Sequence, residues 1–447
     1  MAYNSCMFSK KILILGTYQQ TIAVIRSLGR AGFQLVVGCS HGHGRVFTQY
    51  SRYTTETWLH PDMEDNEPDF IEALAAFLNE RPDVGFVFPV WELQVTSLMH
   101  HLDRLPRDRV LVMAEPDVVK ACLDKFHLGK LAAVFGIPHT PPLRVTSHAE
   151  LLTAAQSTGY PCVVKNNDSS ASVSGKKALI AESPAELLKW IPSWPERNGS
   201  LIVQRFARGF RHNCHFIADE GRLLAYFEQR VLRTDRTDGT GSGVDTASCS
   251  PTEMLREYSA VLIRELNYSG AGCVQFLVDD HDGGVNLLEL NPRLDATCAL
   301  PLHCGYDFPR MALLYAAYRH GVLSDPCCHD SPYPAGKRGV GLYTDLNGLL
   351  RDVQAGDTNW RQSLIRLCRA AKLPFRGGKD YIWSWTDPLP GIFLFIQLSA
   401  RALKWVARGR AGAGGVIAYE MAADPADSDP AAASLFGFFD QALFFLA

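Results

Sequence analysis

Leu287-Leu288-Glu289-Leu290-Asn291-Pro292-Arg293 is the stretch on which the reading of this chain turns. In an extended strand, side chains two apart point to one face, so Glu289 and Asn291 stand side by side. A carboxylate and an amide oxygen together, followed by a guanidinium, suit a hard divalent cation and a phosphate at once. Upstream, Cys273-Val274-Gln275-Phe276-Leu277-Val278 reads as a second strand. Asp279-Asp280-His281-Asp282-Gly283-Gly284 joins the two with turn-forming residues and predicts a hairpin. One register places Gln275 on the face of Glu289; a slip of one residue sends it to the other. The same pattern also fits an edge hairpin whose polar residues face water. The rest of the chain has to decide.

With 447 residues the chain exceeds one simple core, and two to four domains are expected. The formal net charge of −3 gives no global reason to expect nucleic acid or an anionic membrane as partner. The 12 cysteines show no CxxC pair or zinc-like spacing, which fits reduced thiols in a cytoplasmic protein. Residues 1–10 lack the long apolar core of a signal peptide. No stretch reaches the roughly 18 to 20 apolar residues of a membrane span.

Lys11-Ile12-Leu13-Ile14-Leu15-Gly16 is a buried parallel strand, followed by a helix over 21–32 and a strand over 33–38. Gly16-Thr17-Tyr18-Gln19-Gln20 does not supply GxGxxG, so this α/β unit is Rossmann-like without the dinucleotide fingerprint. Val84-Gly85-Phe86-Val87-Phe88-Pro89 is a further strand, with Glu92 beyond its carboxyl end as a candidate for contacting a substrate amine. Asp124-Lys125 opens a helix that ends at a proline-bounded linker over 136–142.

Lys165 closes a short strand, and the Ser-, Asn- and Gly-rich loop over 166–175 can lie on a polyanion, offering N–H groups and hydroxyls. It lacks the P-loop pattern. Residues 200–206 form another strand. Paired strands are expected over 212–218 and 222–228, and Arg230, Arg233 and Arg236 beside a glycine loop suggest anion clamping. Helices are expected over 252–266 and 308–318.

In this order the parts resemble the ATP-grasp superfamily of ligases, in its carboxylate–amine and carbamoyl-phosphate-synthase-like branch, over about residues 10 to 325. The resemblance rests on Asp124-Lys125, Val163-Val164-Lys165 with its loop, Val203-Gln204-Arg205-Phe206, Gln275 and Glu289-Leu290-Asn291-Pro292-Arg293. It implies an α/β and α+β multidomain chain. A Rossmann-like pre-ATP-grasp domain (10–120) precedes a small subdomain (121–206) and a large, metal-binding subdomain (207–328). A C-terminal extension (329–410) and a flexible linker with an apolar tail (411–447) follow.

By the same resemblance, Lys125 and Lys165 would neutralise ATP phosphates, with Ser169, Ser170, Ser174 and Gly175 closing over them. Gln204, Arg205, Phe206 and Ala207 would edge the adenine. Gln275, Glu289 and Asn291 would hold one or two Mg²⁺ ions, with Mn²⁺ as a substitute, and Arg293 would stabilise the transferred phosphoryl group. Lys165 and Arg293 are the implied catalytic residues.

The implied reaction activates a carboxylate as an acyl phosphate and joins it to an amine, both small molecules, with release of ADP and phosphate. Two departures stand out: Arg205 and Arg211 occupy places where the family often has an acid for the ribose, and Gln275 replaces the more frequent Glu. They leave open a degenerate nucleotide-binding module with a regulatory or scaffolding role near a membrane. Phosphotransfer or carboxylation without amide formation is a third reading.

Beyond residue 328 a strand is expected over 340–343 and a basic amphipathic helix over 360–372. A helix over 391–410, apolar and then basic, either packs on its own domain or lies on a membrane. The apolar tail over 434–446 is expected to dock on this chain, a partner protein or a membrane, and with the first sheet it would support a homodimer.

Overall fold

The structure is a computed structural model, and it describes residues 10–41, 46–167, 173–174, 176, 178–194, 199–328, 330–372 and 377–407. The linker and apolar tail expected over 411–447 lie outside the described residues. The first sheet is parallel, in the order β3-β2-β1-β4-β5. Its elements are β1 (Lys11–Leu15), α1 (Gln19–Arg30), β2 (Leu35–Ser40), β3 (Glu56–His60), α2 (Glu67–Glu80), β4 (Val84–Pro89), α3 (Glu92–His100) and β5 (Val110–Leu111). Helices cover both faces of β1, β2 and β4, which explains their unbroken apolar runs. The strand order reverses between β1 and β4, so the loops after these two strands open a crevice. There Tyr18 stacks on Trp91, with ring centroids 4.8 Å apart.

Next come α4 (Pro116–Leu123) and α5 (Lys125–Val134). Asp124 separates them and caps α5, accepting from the backbone N–H groups of Phe126 and His127. A four-stranded antiparallel sheet follows in the order β6-β9-β7-β8. It comprises β6 (Leu143–Val145), α6 (His148–Thr158), β7 (Cys162–Asn166), β8 (Ala178–Ala181), α7 (Pro184–Trp190) and β9 (Leu201–Arg205). Cys162 and Val164 of β7 point into a core shared with Leu151, Leu187 and Val203. Alternation then sends Val163 and Lys165 to the opposite face.

The third sheet has seven strands in the order β14-β13-β10-β11-β12-β15-β16. It begins with β10 (Phe210–Asp219), β11 (Arg222–Thr234), β12 (Gly243–Ser248), α8 (Glu253–Glu265), β13 (Gly270–Val278) and β14 (Val285–Asn291). After them come α9 (Ala299–His303), α10 (Phe308–Arg319), β15 (Arg338–Val340), α11 (Leu342–Ala355), α12 (Trp360–Lys372), β16 (Lys379–Asp380) and α13 (Leu389–Ala407).

The C-terminal segment joins an existing sheet and departs from expectation at one strand. It is continuous with the seven-stranded sheet, because β15 pairs with β12 and β16 pairs with β15. The strand expected over 340–343 ends at Val340, and Leu342 opens a helix whose first N–H is taken by the Asp380 carboxylate (3.0 Å). Asp387 is buried against the first domain, accepting from Arg26 Nε (2.9 Å), Ser51 Oγ (2.8 Å) and the Arg52 N–H (2.9 Å). The apolar residues Phe393, Leu394 and Leu398 of α13 are buried, with Phe393 stacked on Tyr50. Of the two readings of 391–410, the described part therefore packs on its own chain. No helix of the described residues is long and apolar enough to cross a membrane.

Candidate active site

A cleft of about 420 Å³ opens between the four-stranded and seven-stranded sheets and reaches the crevice of the first. Lys165 of β7 hangs from its roof, with Val163, Ala178 and Ile180 beside it. Gln204, Arg205, Phe206 and Ala207 line the hinge at the back, where Gln204 Nε2 donates to the Thr140 carbonyl (2.6 Å) and ties β9 to the proline-bounded linker. Lys125 enters from the first turn of α5, its ammonium donating to the carbonyls of Asn166 (3.4 Å) and Asn167 (3.2 Å).

The floor is the β13–β14 hairpin, and its register answers the question left by the turn. Gln275 is paired with Glu289, so both side chains leave the sheet on one face. The pairing then slips, with Phe276 opposite Leu287, so Leu288 is the extra residue of a bulge that bends β14 beside the cleft. Asn291 Nδ2 donates to Glu289 Oε1 (2.9 Å), and Gln275 Nε2 donates to Asp295 Oδ2 (3.2 Å). Both amide nitrogens are thus engaged, which turns the amide oxygens towards other partners. Three oxygen donors without sulfur or imidazole fit a hard cation such as Mg²⁺.

Arg293 leaves the end of β14 and is nearly buried. Its guanidinium carbon lies 4.2 Å from the centre of the Trp91 ring, and Nη2 is 3.5 Å from Glu92 Oε2. Glu92 therefore faces an arginine of this chain inside the cleft, in the first turn of α3, where a negative charge is favoured. Burial is the largest influence on Lys165, and repulsion from Lys125 adds to it; attraction by Glu289 only partly offsets them. The Lys165 pKa is pushed down to about 8.

Asp295, two residues beyond Arg293, was not singled out by sequence reasoning. Its buried carboxylate accepts from Asn213 Nδ2 (3.0 Å), the Thr297 N–H (2.9 Å) and the Thr297 hydroxyl as well as from Gln275. Burial raises its pKa, but the nearby His215, the Thr297 donors and Arg211 outweigh that and hold it below the usual value. The sequence signal was its place after the arginine; which partners surround it depends on β10, some 80 residues earlier.

Ten of the expected site residues meet in this cleft: Lys125, Lys165, Gln204, Arg205, Phe206, Ala207, Gln275, Glu289, Asn291 and Arg293. Ser174 does not line it, because its hydroxyl donates to the Trp190 carbonyl (2.8 Å). Ser169, Ser170 and Gly175 lie outside the described residues.

The anion clamp expected from Arg230, Arg233 and Arg236 does not form in the cleft. Arg230 pairs with Asp280 and covers the Phe210 ring, Arg233 grips Asp345, and none of the three lines the cleft. Arg211 does line it and holds the glycine loop through the Gly241 carbonyl (3.0 Å).

A group of His212, Glu228 and Cys249 also converges elsewhere. Glu228 already accepts from His212 Nδ1 (2.8 Å), the Thr252 N–H (2.7 Å), the Thr252 hydroxyl (2.8 Å) and the Tyr226 hydroxyl (3.3 Å). This carboxylate ties β10 and β11 to the start of α8.

Residues 124–317 match the family model of the carbamoyl-phosphate synthase L chain, ATP binding domain. The chain is 26% identical over 249 residues to the formate-dependent phosphoribosylglycinamide formyltransferase of Ignicoccus hospitalis, covering 56% of this chain and 54% of that protein. It is 24% identical over 314 residues to the carbamoyl phosphate synthase large chain of Hyperthermus butylicus, covering 65% of this chain and 28% of that one. The chain thus spans about half or less of the length of these relatives.

Among solved structures, the biotin carboxylase of Campylobacter jejuni superposes with a TM-score of 0.54 at 17% identity, covering 70% of this chain and 72% of that one. The biotin carboxylase domain of Hydrogenobacter thermophilus 2-oxoglutarate carboxylase, solved with MgADP and bicarbonate, gives a TM-score of 0.54 at 17% identity over 69% of each chain. These structures share the fold. Residues 124–317 thus match an ATP-binding domain of the ATP-grasp carboxylate–amine ligase and carbamoyl-phosphate-synthase-like branch.

Proposed function

We propose that the protein is an ATP- and Mg²⁺-dependent ligase that activates a carboxylate as an acyl phosphate and transfers the acyl group to an amine. The observation that carries this reading is the convergence of Lys125, Lys165, Gln275, Glu289, Asn291 and Arg293 on one cleft. In domain terms, residues 10–120 are the pre-ATP-grasp unit, and 121–206 and 207–328 are the two subdomains that close on nucleotide.

A carboxylate oxygen attacks the γ-phosphorus and ADP leaves; the amine nitrogen then attacks the acyl carbon, and phosphate leaves as the nitrogen gives up a proton. Two anions have to meet in the first step, so charge neutralisation dominates catalysis. Lys125 and Lys165 approach the phosphates from α5 and from the roof. Gln275, Glu289 and Asn291 would hold the metal, which would supply Lewis-acid charge for the phosphoryl transfer. Arg293, held between Trp91 and Glu92, would meet the phosphoryl group in flight and the acyl phosphate that follows. Glu92 is the acid best placed to receive an incoming ammonium at the far end of the cleft.

The test is ADP and phosphate release by the purified protein with Mg²⁺, against pooled carboxylates and amines, beside Glu289→Ala. Turnover that needs an acid and an amine, and disappears in the variant, supports the ligase. Turnover with an acid alone favours phosphotransfer. Nucleotide binding with no turnover under any pool overturns the reading in favour of a binding module.

A further inference from the structure

The C-terminal helix α12 presents a face that the ATP cleft does not use. Trp360, Leu364 and Leu367 recur at spacings of four and three, which places them on one side of the helix. They are 71%, 52% and 48% exposed. A neighbouring side of the helix is fixed in the protein. Arg366 is buried, its Nη1 donating to Asp352 Oδ2 on α11 (2.6 Å) and its Nη2 to the Asp235 carbonyl (2.8 Å). This anchor sets the rotation of the helix about its axis and keeps the apolar stripe turned outward. Beside the stripe stand the exposed Arg361 and Lys372, and the helix contains no Asp or Glu.

We propose that α12 docks the protein on an anionic membrane surface, lying in the plane of the interface. Trp360, Leu364 and Leu367 enter the boundary between headgroups and acyl chains, and Arg361 and Lys372 meet lipid phosphates. Charge selects this occupant. A second copy docked through the same face would bring the same cations together with no carboxylate in the helix to receive them. The anchor also gives the contact a route inward. Asp235, which receives Arg366, accepts from the Ser242 N–H (2.8 Å) and so closes the base of the glycine loop that lines the cleft.

The experiment is co-sedimentation of the full chain with vesicles of pure phosphatidylcholine and of phosphatidylcholine containing about one quarter phosphatidylglycerol. Binding to the anionic vesicles is expected. Trp360→Ser with Leu364→Ser and Leu367→Ser should lower the bound fraction about tenfold or more, since the apolar insertion is lost. Arg361→Gln with Lys372→Gln should remove the difference between the two compositions. All five side chains are exposed, so an unchanged thermal melt is the folding control. The proposal is overturned if the wild-type chain binds neither vesicle, or if the triple serine variant binds as well as wild type. Self-association lost in that variant, without vesicle binding, would overturn it in favour of a second copy.

Discussion

Gln275 and Glu289 stand directly opposite each other in the β13–β14 ladder, so an amide and a carboxylate enter the cleft from neighbouring strands. Asn291 adds a third oxygen donor, and its amide nitrogen already rests on Glu289. If this set holds the metal, Glu289 supplies its one formal charge. Glu289→Gln keeps the shape and removes that charge. Nucleotide turnover should fall by about 100-fold or more, and raising Mg²⁺ should recover only part of it, as read by ADP release across a Mg²⁺ titration.

If Gln275 is a metal ligand, Asp295 acts through it. Its carboxylate holds the Gln275 amide nitrogen and so orients the oxygen. Asp295→Asn should raise the Mg²⁺ concentration needed for half-maximal turnover by about tenfold, in the range seen for outer-shell partners of metal ligands. Affinity for metal-free nucleotide should stay near wild type. If nucleotide affinity and thermal stability fall together with the Mg²⁺ response, the residue is only structural.

Lys165 titrates close to the working range, its pKa pushed down to about 8 chiefly by burial. The ammonium is present below that value and is the form a phosphate binds. Nucleotide affinity should therefore be full below about pH 8 and weaken as pH rises above it. Lys165→Arg keeps its charge throughout. Titrations by fluorescence or calorimetry between pH 7 and 9 should show a decline in wild type and a flat response in the variant. An equal decline in both would remove Lys165 from phosphate binding.

The Arg26–Asp387 pair joins α1 to the C-terminal segment, and both partners are buried. Asp387→Ala leaves a buried guanidinium without its carboxylate and also strips acceptors from Ser51 and the Arg52 N–H. Removing one partner of such a pair costs about 3 to 5 kcal/mol. Urea unfolding should show a loss of that size, while nucleotide affinity of the folded protein remains unchanged.

Local chemistry made much of this legible in advance. Asp124 declares itself as a helix cap, β1 and β4 as buried parallel strands, and Glu289 and Asn291 as neighbours on one face. The Gln275 register was beyond local reading, because a bulge at Leu288 sets it and bulges leave little mark in sequence. Arg230 and Arg233 were misread for a related reason. Their carboxylate partners, Asp280 and Asp345, lie about 50 and 112 residues away. Asp295 was invisible until β10 brought Asn213 against it. Tyr343 was expected in a strand, and the carboxylate of Asp380, from a strand more than 30 residues later, starts a helix there instead.

The pairing of β15 with β12 also bears on how the cleft can be studied at all. A chain cut near residue 328, where the family resemblance fades, would expose the open edge of β12 to pairing with other chains. It would also leave Arg26 facing an empty socket where Asp387 sat. Such a fragment is expected to aggregate or misassemble, and its silence in an assay would say nothing about the chemistry. The segment from Arg338 to Ala407 is a wall of the building that houses the site.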